Sequence, residues 1–468
     1  MKRRAFGLVV ATAVLITMTV ISPAGAKSPE ITVMSRNLYL GADVGEALKL
    51  MPDTTAAAQF MWDQVGQTDF GARAALLAAE TAAVIPSVIG LQEATTWVCT
   101  NDANTEPVTI FDFTKQFLDA TATSGTEYVI AASGDDTAVS VEYTLGPIVG
   151  LTIVNDPSRF QPLFGSDQAS CGFRIADVLA VRADLAAQIT AVGTATYDTI
   201  TDVVPGFITI HRGYAWADMS VGSATVRLVT THLESTWNPN SVPAAVLQAR
   251  ELIADHEQIT GPLVVMGDFN NDPRDPRPAG QANPGGQPEA SAACPDPSCN
   301  SYWSMVNRGF TDAGPDATDP RFFSWGADAT LAGPSTQRAP VGREMGNPVG
   351  FTDRLDYVFV RNGVQVLDSS VIGNEWPSGL STWTCSSDEQ VRNTAAAATQ
   401  LGVAAPAGGV CFATDHAGIV AVLAIGPAGA ASESGTPILV WIAIAAAFVV
   451  VVVVIVAVVR SRSRRPRD

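Results

Sequence analysis

The chain has 468 residues, 47% of them hydrophobic and 16% charged, and 28 basic against 46 acidic side chains give it a net charge of −18. That length is enough for two average domains. The acidic balance excludes a general electrostatic grip on polyanions, the term that supplies most non-specific nucleic-acid binding, so any phosphate chemistry needs local counter-charge such as a metal.

The N-terminus opens MKRRAFGLVVATAVLITMTVISPAGAKS. Lys2, Arg3 and Arg4 precede an apolar stretch to Ile21, and Ala24-Gly25-Ala26 has the small-x-small form of a cleavage site. This pattern predicts a secretory signal over 1–26, with an uncleaved anchor as the rival reading. Residues 27–425 then read as one large mixed domain, without an internal repeat or a Pro/Gly linker between balanced halves. Strand-like runs recur along it: ITVMS, SVIGLQ, IADVLAV, GFITI, ATVRLVTT, PLVVM, RLDYVFV, VQVLD and GIVAVLAI. Helical stretches are fewer, the best lying at 71–84 and at 243–258, where Pro243 stands near a helix start that tolerates it. Many strands with interspersed helices predict an α+β layered domain of two packed sheets covered by helices.

Residues 272–300, 326–350 and 385–411 are rich in Pro, Gly and Ala and read as surface insertions. A linker over 426–437 leads to Ile438–Val459, 22 residues without a charge, followed by RSRSRRPRD. About 20 apolar residues span a bilayer as a helix, and the arginine tail at 460–468 would remain cytoplasmic. The expected location is therefore the cell membrane, single-pass, with the large domain outside. Six cysteines in an exported chain suggest three disulfides. Proximity suggests Cys294–Cys299 and Cys385–Cys411, leaving Cys99–Cys171; a structural zinc lacks the CxxC pairs it would need.

Six stretches place a chemically capable residue at or beside an apolar strand. They are ITVMSRN (Asn37), VIGLQE (Glu93), VRLVTTH (His232), VVMGDFN (Asp268, Asn270), RLDYVFV (Asp356) and TDHAGIVAVL (Asp415, His416). Each alone has an ordinary explanation: a turn glutamate, an Asx-turn for Asp-x-Asn, a core histidine. Together they suit phosphoester chemistry. A hard cation such as Mg²⁺ needs one or two carboxylates plus water and substrate phosphate, which Glu93 and Asn37 can begin to supply. Asp268 and Asn270 could orient a water and the phosphate. His232 and His416 titrate in the range where protons are exchanged near neutral pH, and an acid such as Asp356 can fix one of them.

In this order the stretches resemble the endonuclease/exonuclease/phosphatase superfamily, over roughly residues 31–425. The resemblance implies a four-layer α/β/β/α sandwich, two packed mixed sheets flanked by helices, with the site at the strand ends. It also implies a divalent ion, Mg²⁺ with Mn²⁺ or Ca²⁺ as alternatives, at the positions of Asn37 and Glu93. Asp268 would activate the water and Asn270 hold the phosphate. His416 would be general base or phosphate ligand with Asp356 bonded to it, His232 would serve the leaving side, and Asp415 would support the metal or the histidine. No motif supplies a carboxylate partner for His232.

Outside these motifs, His256 in DHEQ reads as a solvated residue near a helix end, and His211 as structural, with Arg212 beside it able to touch a phosphate. Asp43 reads as a loop cap, with reach to the metal through water as the alternative, and Trp376 and Trp383 as packing residues with a pocket-rim alternative. The function expected first is a surface phosphodiesterase or phosphatase acting on lipid head groups or small phosphate esters, because a membrane tether raises local concentration near lipid. An extracellular nuclease is the alternative, weakened by the lack of a Lys/Arg cluster, and a catalytically dead binding module is the third. No protein partner is implied.

Overall fold

A computed structural model describes residues 28–102, 104–133, 140–143, 153–204, 208–281 and 287–426. The expected signal (1–26), most of the linker, the membrane span (438–459) and the basic tail (460–468) lie outside the described residues. Among the described residues no helix is long and apolar enough to cross a membrane.

Two large sheets form the centre, nine and six strands among the described residues. In the first, the strand Glu30–Asn37 runs parallel to Val88–Asn101 and antiparallel to Gly418–Ile425. Val88–Asn101 then pairs antiparallel with Gln168–Arg182. In the second, Ala224–His232 runs parallel to Leu263–Asp268, which pairs antiparallel with Asp356–Arg361. Most of the apolar runs quoted above occupy these strands, because alternate side chains find apolar partners on both faces. Val33, Val88 and Leu179 of one sheet meet Leu228, Val264, Met266 and Val358 of the other in a shared core.

Helices cover the outer faces. Thr54–Gln67, Phe70–Val84, Phe113–Ser124 and Pro157–Phe164 pack Trp62, Leu77, Phe117 and Phe160 against Met34, Ile89 and Val178 of the first sheet. Ala244–Asp255 and Ser301–Val306 pack Ala249, Leu252 and Met305 against Val229, Val265 and Phe359 of the second. The expected helices at 71–84 and 243–258 are thus present as Phe70–Val84 and Ala244–Asp255, the second with Pro243 as its N-cap. The three expected disulfides are formed: Cys99–Cys171, Cys294–Cys299 and Cys385–Cys411.

Several expectations need correction. Residues 385–411 are not a plain loop: Asp388–Leu401 is a helix, opened by a Ser387/Gln390 capping box and closed by Gly402 in the left-handed region. That signal was in the sequence, a Ser-x-x-Gln before an Ala-rich run. This helix packs Ala397, Ala398 and Leu401 on Phe323, Val349 and Phe351, so the second and third insertions build a satellite core together. The insertion at 272–300 begins buried. Asp272, Asp275 and Arg277 are enclosed, with Arg274 Nε 2.6 Å from Asp272 Oδ1 and Arg277 Nη2 2.7 Å from Asp353 Oδ1. His256 is not solvated: it is 2% exposed, its Nδ1 lies 2.9 Å from the Leu252 carbonyl, and its ring meets Tyr214. The helix C-cap looked like an exposed end in sequence but sits under the sheet. His211 is exposed on its strand.

Candidate active site

The two parallel strand pairs end side by side. Asn37 is in register with Gln92, and His232 with Asp268, which in turn faces Asp356 across the antiparallel pair. Close approach of the sheets makes this possible. A Cβ on Gly90 would meet Thr230 Oγ1 at 2.8 Å, and one on Gly267 would meet the Thr231 carbonyl at 2.3 Å. The glycine of GDFN is therefore required by the neighbouring strand. Glu93 and Asn270 both have left-handed backbones, φ +56° and +50°, a conformation uncommon for residues with a Cβ. Glu93 reaches it at the irregularity between Leu91 and Ala94 where pairing with 168–182 slips, so its carboxylate leaves the sheet toward the cavity.

Asn37 Nδ2 donates to Glu93 Oε1 and to Asp268 Oδ2, each at 3.1 Å, while its Oδ1 accepts the Tyr39 N–H at 2.8 Å. Glu93 Oε2 accepts the Leu40 N–H at 2.6 Å. The other oxygen of Asp268 accepts the Asn270 N–H at 2.9 Å, and Asn270 Nδ2 donates to the Leu233 carbonyl at 2.7 Å. The Asx-turn reading of GDFN thus holds for one carboxylate oxygen, and the second points elsewhere: His232 Nε2 lies 3.6 Å and His416 Nε2 3.7 Å from Asp268 Oδ2. His416 Nδ1 is 2.8 Å from Asp356 Oδ2, which also accepts the Ser324 hydroxyl at 2.6 Å. Asp415 Oδ1 stands 3.9 Å from His416 Nε2.

Burial governs the charges here. It raises the Asp268 carboxyl to about 7, against the pull of His416, and the Asp415 carboxyl to about 6, again against His416. Burial alone would lower the His416 imidazole, but Asp356, Asp415 and Asp268 hold it well above its ordinary value. His232 is driven well below its ordinary value by burial, then by Arg212 and His416.

A cavity of about 650 Å³ opens over these groups, lined by Glu93, His232, Asp268, Asn270, Asp415 and His416. Asn37 and Asp356 stand behind that wall and hold its members. Asp43 caps the helix Val44–Lys49 and also lines the cavity. Arg212 lines it too, buried, with Nε 3.4 Å from Glu234 Oε2. Trp376 and Trp383 do not border it: their indole N–H groups donate to the Val410 and Phe412 carbonyls.

Sequence reasoning missed Ser324, Trp325, Glu234 and Arg338. Ser324 and Trp325 sit in a loop with no periodic signal, and Arg338 lies in a stretch set aside as an insertion. Glu234, two residues after His232 in TTHLES, was the one readable hint.

The residues present suit a divalent cation. Ligand atoms of Glu93, His232 and Asp268 all lie within 4.8 Å of one another, as do those of Asp268, Asp356 and His416. Two carboxylates converging on one amide N–H₂ form an oxygen-rich centre with surplus negative charge, of the kind hard cations neutralise.

The endonuclease/exonuclease/phosphatase family profile matches residues 66–416. No curated protein matches the sequence. Among solved structures, an endonuclease/exonuclease/phosphatase from Beutenbergia cavernae is 18% identical, with 86% of this chain and 73% of that one covered and a TM-score of 0.45. A mannosyl-6-phosphatase from Bacteroides thetaiotaomicron is 15% identical over 84% of this chain and 99% of its own, TM-score 0.39. Truncated TDP2 from Caenorhabditis elegans is 14% identical over 84% and 97%, TM-score 0.36. With three-quarters of its length inside the family profile and the profile's last residue at His416, this chain belongs to the endonuclease/exonuclease/phosphatase family.

Proposed function

We propose that this protein is a divalent-metal-dependent phosphoesterase that cleaves a phosphate ester by in-line attack of water. The observation that carries the reading is the convergence of His232 and His416 on one oxygen of Asp268, next to Glu93, on a cavity of about 650 Å³. A cation held by Glu93 and Asp268 would supply Lewis acidity at the phosphoryl oxygens. Asn37, bonded to both carboxylates, would position them for it. Asp268 orients the attacking water, whose proton passes to the neutral His232, while the cationic His416 faces the same oxygen from the other side. Asp356 holds the His416 ring through Nδ1, so that Nε2 faces the cavity, and Asp415 flanks it. Asn270 has its second amide N–H for a phosphoryl oxygen. The cationic His416 gives a proton to the leaving oxygen.

A cavity of this size takes a small ester or a lipid head group, and the acidic surface disfavours a polyanion. The protein would act as a single-pass membrane protein with this domain outside the cell, Mg²⁺ being the ion of choice for a site of carboxylates and phosphate.

The test is turnover by the full chain in detergent with Mg²⁺ on p-nitrophenyl phosphate, its bis-ester, phospholipid vesicles and supercoiled plasmid. Esters or lipids should be hydrolysed, with EDTA abolishing turnover and Asp268→Ala or His416→Ala lowering kcat by about 10²–10⁴-fold in a folded protein. Plasmid nicking with the same dependence would make it a nuclease instead, and full activity in both variants would sink the site.

A further inference from the structure

The stretch at 326–350 brings a second arginine to the cavity. Arg338 lines the wall with Trp325, Asp415 and His416. Its guanidinium carbon is 3.5 Å from the Trp325 ring centroid. Trp325 bridges to His416 and to Asp353 through the backbone, and its ring centroid is 6.3 Å from that of the His416 imidazole. Arg338 therefore stands one indole away from the imidazole that faces Asp268.

The loop beneath it is built, not draped. Asp328 Oδ1 accepts the Thr330 N–H at 2.9 Å and the Asn393 amide at 3.2 Å, and the Phe412 N–H donates to the Leu331 carbonyl at 2.8 Å. Leu331 and Ala332 pack on the Cys385–Cys411 disulfide. Ser335 N–H returns to the Gly326 carbonyl at 2.8 Å, and the helix Ala339–Met345 begins at the Arg338 carbonyl. The arginine backbone is thus fixed from both sides. Burial lowers the guanidinium to about 10, with Asp353, Asp415 and Asp43 acting the other way, so it is cationic at neutral pH. A guanidinium stacked on an aromatic face keeps its charge and its planar donor edge, the geometry that matches phosphate.

We propose that Arg338, presented on Trp325, is a substrate-binding cation of this site that takes an anionic oxygen of the phosphate ester on the His416 side. The proposal rests on the phosphoesterase reading above. The cavity also gathers Asp43, Glu46, Glu93, Asp268, Asp328 and Asp415. An anionic ester entering among these carboxylates gains from a fixed cation as well as from a metal.

The experiment compares wild type, Arg338→Ala and Arg338→Lys as full chains with Mg²⁺. It reads kcat and KM on p-nitrophenyl phosphate, calorimetric binding of inorganic phosphate, and melting temperature. Arg338→Ala should lower kcat/KM by about 10–100-fold, the worth of one charge-assisted hydrogen bond. It should weaken phosphate binding in proportion and leave melting within a few degrees. Arg338→Lys should recover only part, because an ammonium cannot stack as a plane. Kinetics and phosphate binding within about twofold of wild type would overturn the proposal. So would losses in both variants that track a lowered melting temperature, since Arg338 would then only fasten the loop. If wild type turns over no ester, the phosphoesterase reading fails, and phosphate binding by wild type against Arg338→Ala still decides whether Arg338 is an anion ligand.

Discussion

One oxygen of Asp356 accepts from both His416 Nδ1 and the Ser324 hydroxyl. It fixes which ring nitrogen of His416 carries hydrogen toward the interior and which faces the cavity. Asp356→Asn keeps the volume but offers an N–H₂ or a weaker acceptor there. We expect kcat to fall by about 10–100-fold, as when a carboxylate behind a functional histidine is lost, with KM and melting temperature nearly unchanged and the pH profile displaced. An unchanged profile would mean that Asp356 merely packs. At this scale the sequence was readable wherever a polar residue closed an apolar strand, since the strand both announces the residue and aims it. Asp268, His232 and His416 were singled out that way. Ser324 and Arg338 were not, because they stand in loops without a period, Ser324 meeting Asp356 on a later strand and Arg338 stacking on Trp325 of the same loop region.

The helix Phe70–Val84 contributes a less visible support. Its Glu80 holds Arg36 in a two-bonded pair, Nε–Oε2 and Nη2–Oε1 both at 2.9 Å, with both side chains buried. Arg36 in turn donates to the Thr414 hydroxyl at 3.2 Å and to the His416 carbonyl. Removing one partner of a buried pair strands the other charge, at a cost of about 3–5 kcal/mol. Glu80→Gln should therefore lower unfolding free energy by that order and reduce turnover through His416; a urea midpoint close to wild type would contradict it. The helix itself was expected from its Ala/Leu run. That its polar residues point inward was not, because Arg36 lies on a strand whose partner only the packing identifies.

The helix end at His256 makes a separate pH prediction. Burial is the main cause that lowers this imidazole below its ordinary 6.5, and Arg227 and Arg361 add to it, while the bond to the Leu252 carbonyl and Asp255 oppose it. A depressed histidine stays neutral in the fold while the unfolded chain takes up a proton, so its stability is present above pH 6.5 and lost as pH falls. The limit is about 1.4 kcal/mol per pH unit. In urea titrations from pH 7.5 to 5, His256→Gln should be less stable than wild type at the high end but lose less on acidification. Parallel losses would show that His256 carries no proton linkage. In sequence the residue looked solvated because it follows the last helical turn. Its burial comes from Tyr214 and from Arg361, whose Nη2 donates to the His256 carbonyl at 2.7 Å.

Across the molecule, the strands and the two helix-covered sheets were legible in the apolar runs, while the order of the strands was not, and helices such as Asp388–Leu401 hid behind Ala- and Gly-rich composition that read as loop. The net charge of −18 bears on function at this scale. An acidic body repels an incoming phosphate ester at distances beyond the cavity, where only screening by salt relieves it; the Debye length is about 10 Å at 0.1 M. Inside the cavity, Arg212 and Arg338 act over a few ångströms and are screened little. Between about 20 and 200 mM NaCl at fixed Mg²⁺, kcat/KM for a small anionic ester should therefore stay level or rise. A protein that grips a polynucleotide through six to ten phosphates behaves oppositely, losing about 10³–10⁵ in affinity over a similar range. Stopped initial-rate assays across that salt series separate the two. A steep fall would mean that cationic surface outside this cavity does the binding, and the small-ester reading would give way to the nuclease one.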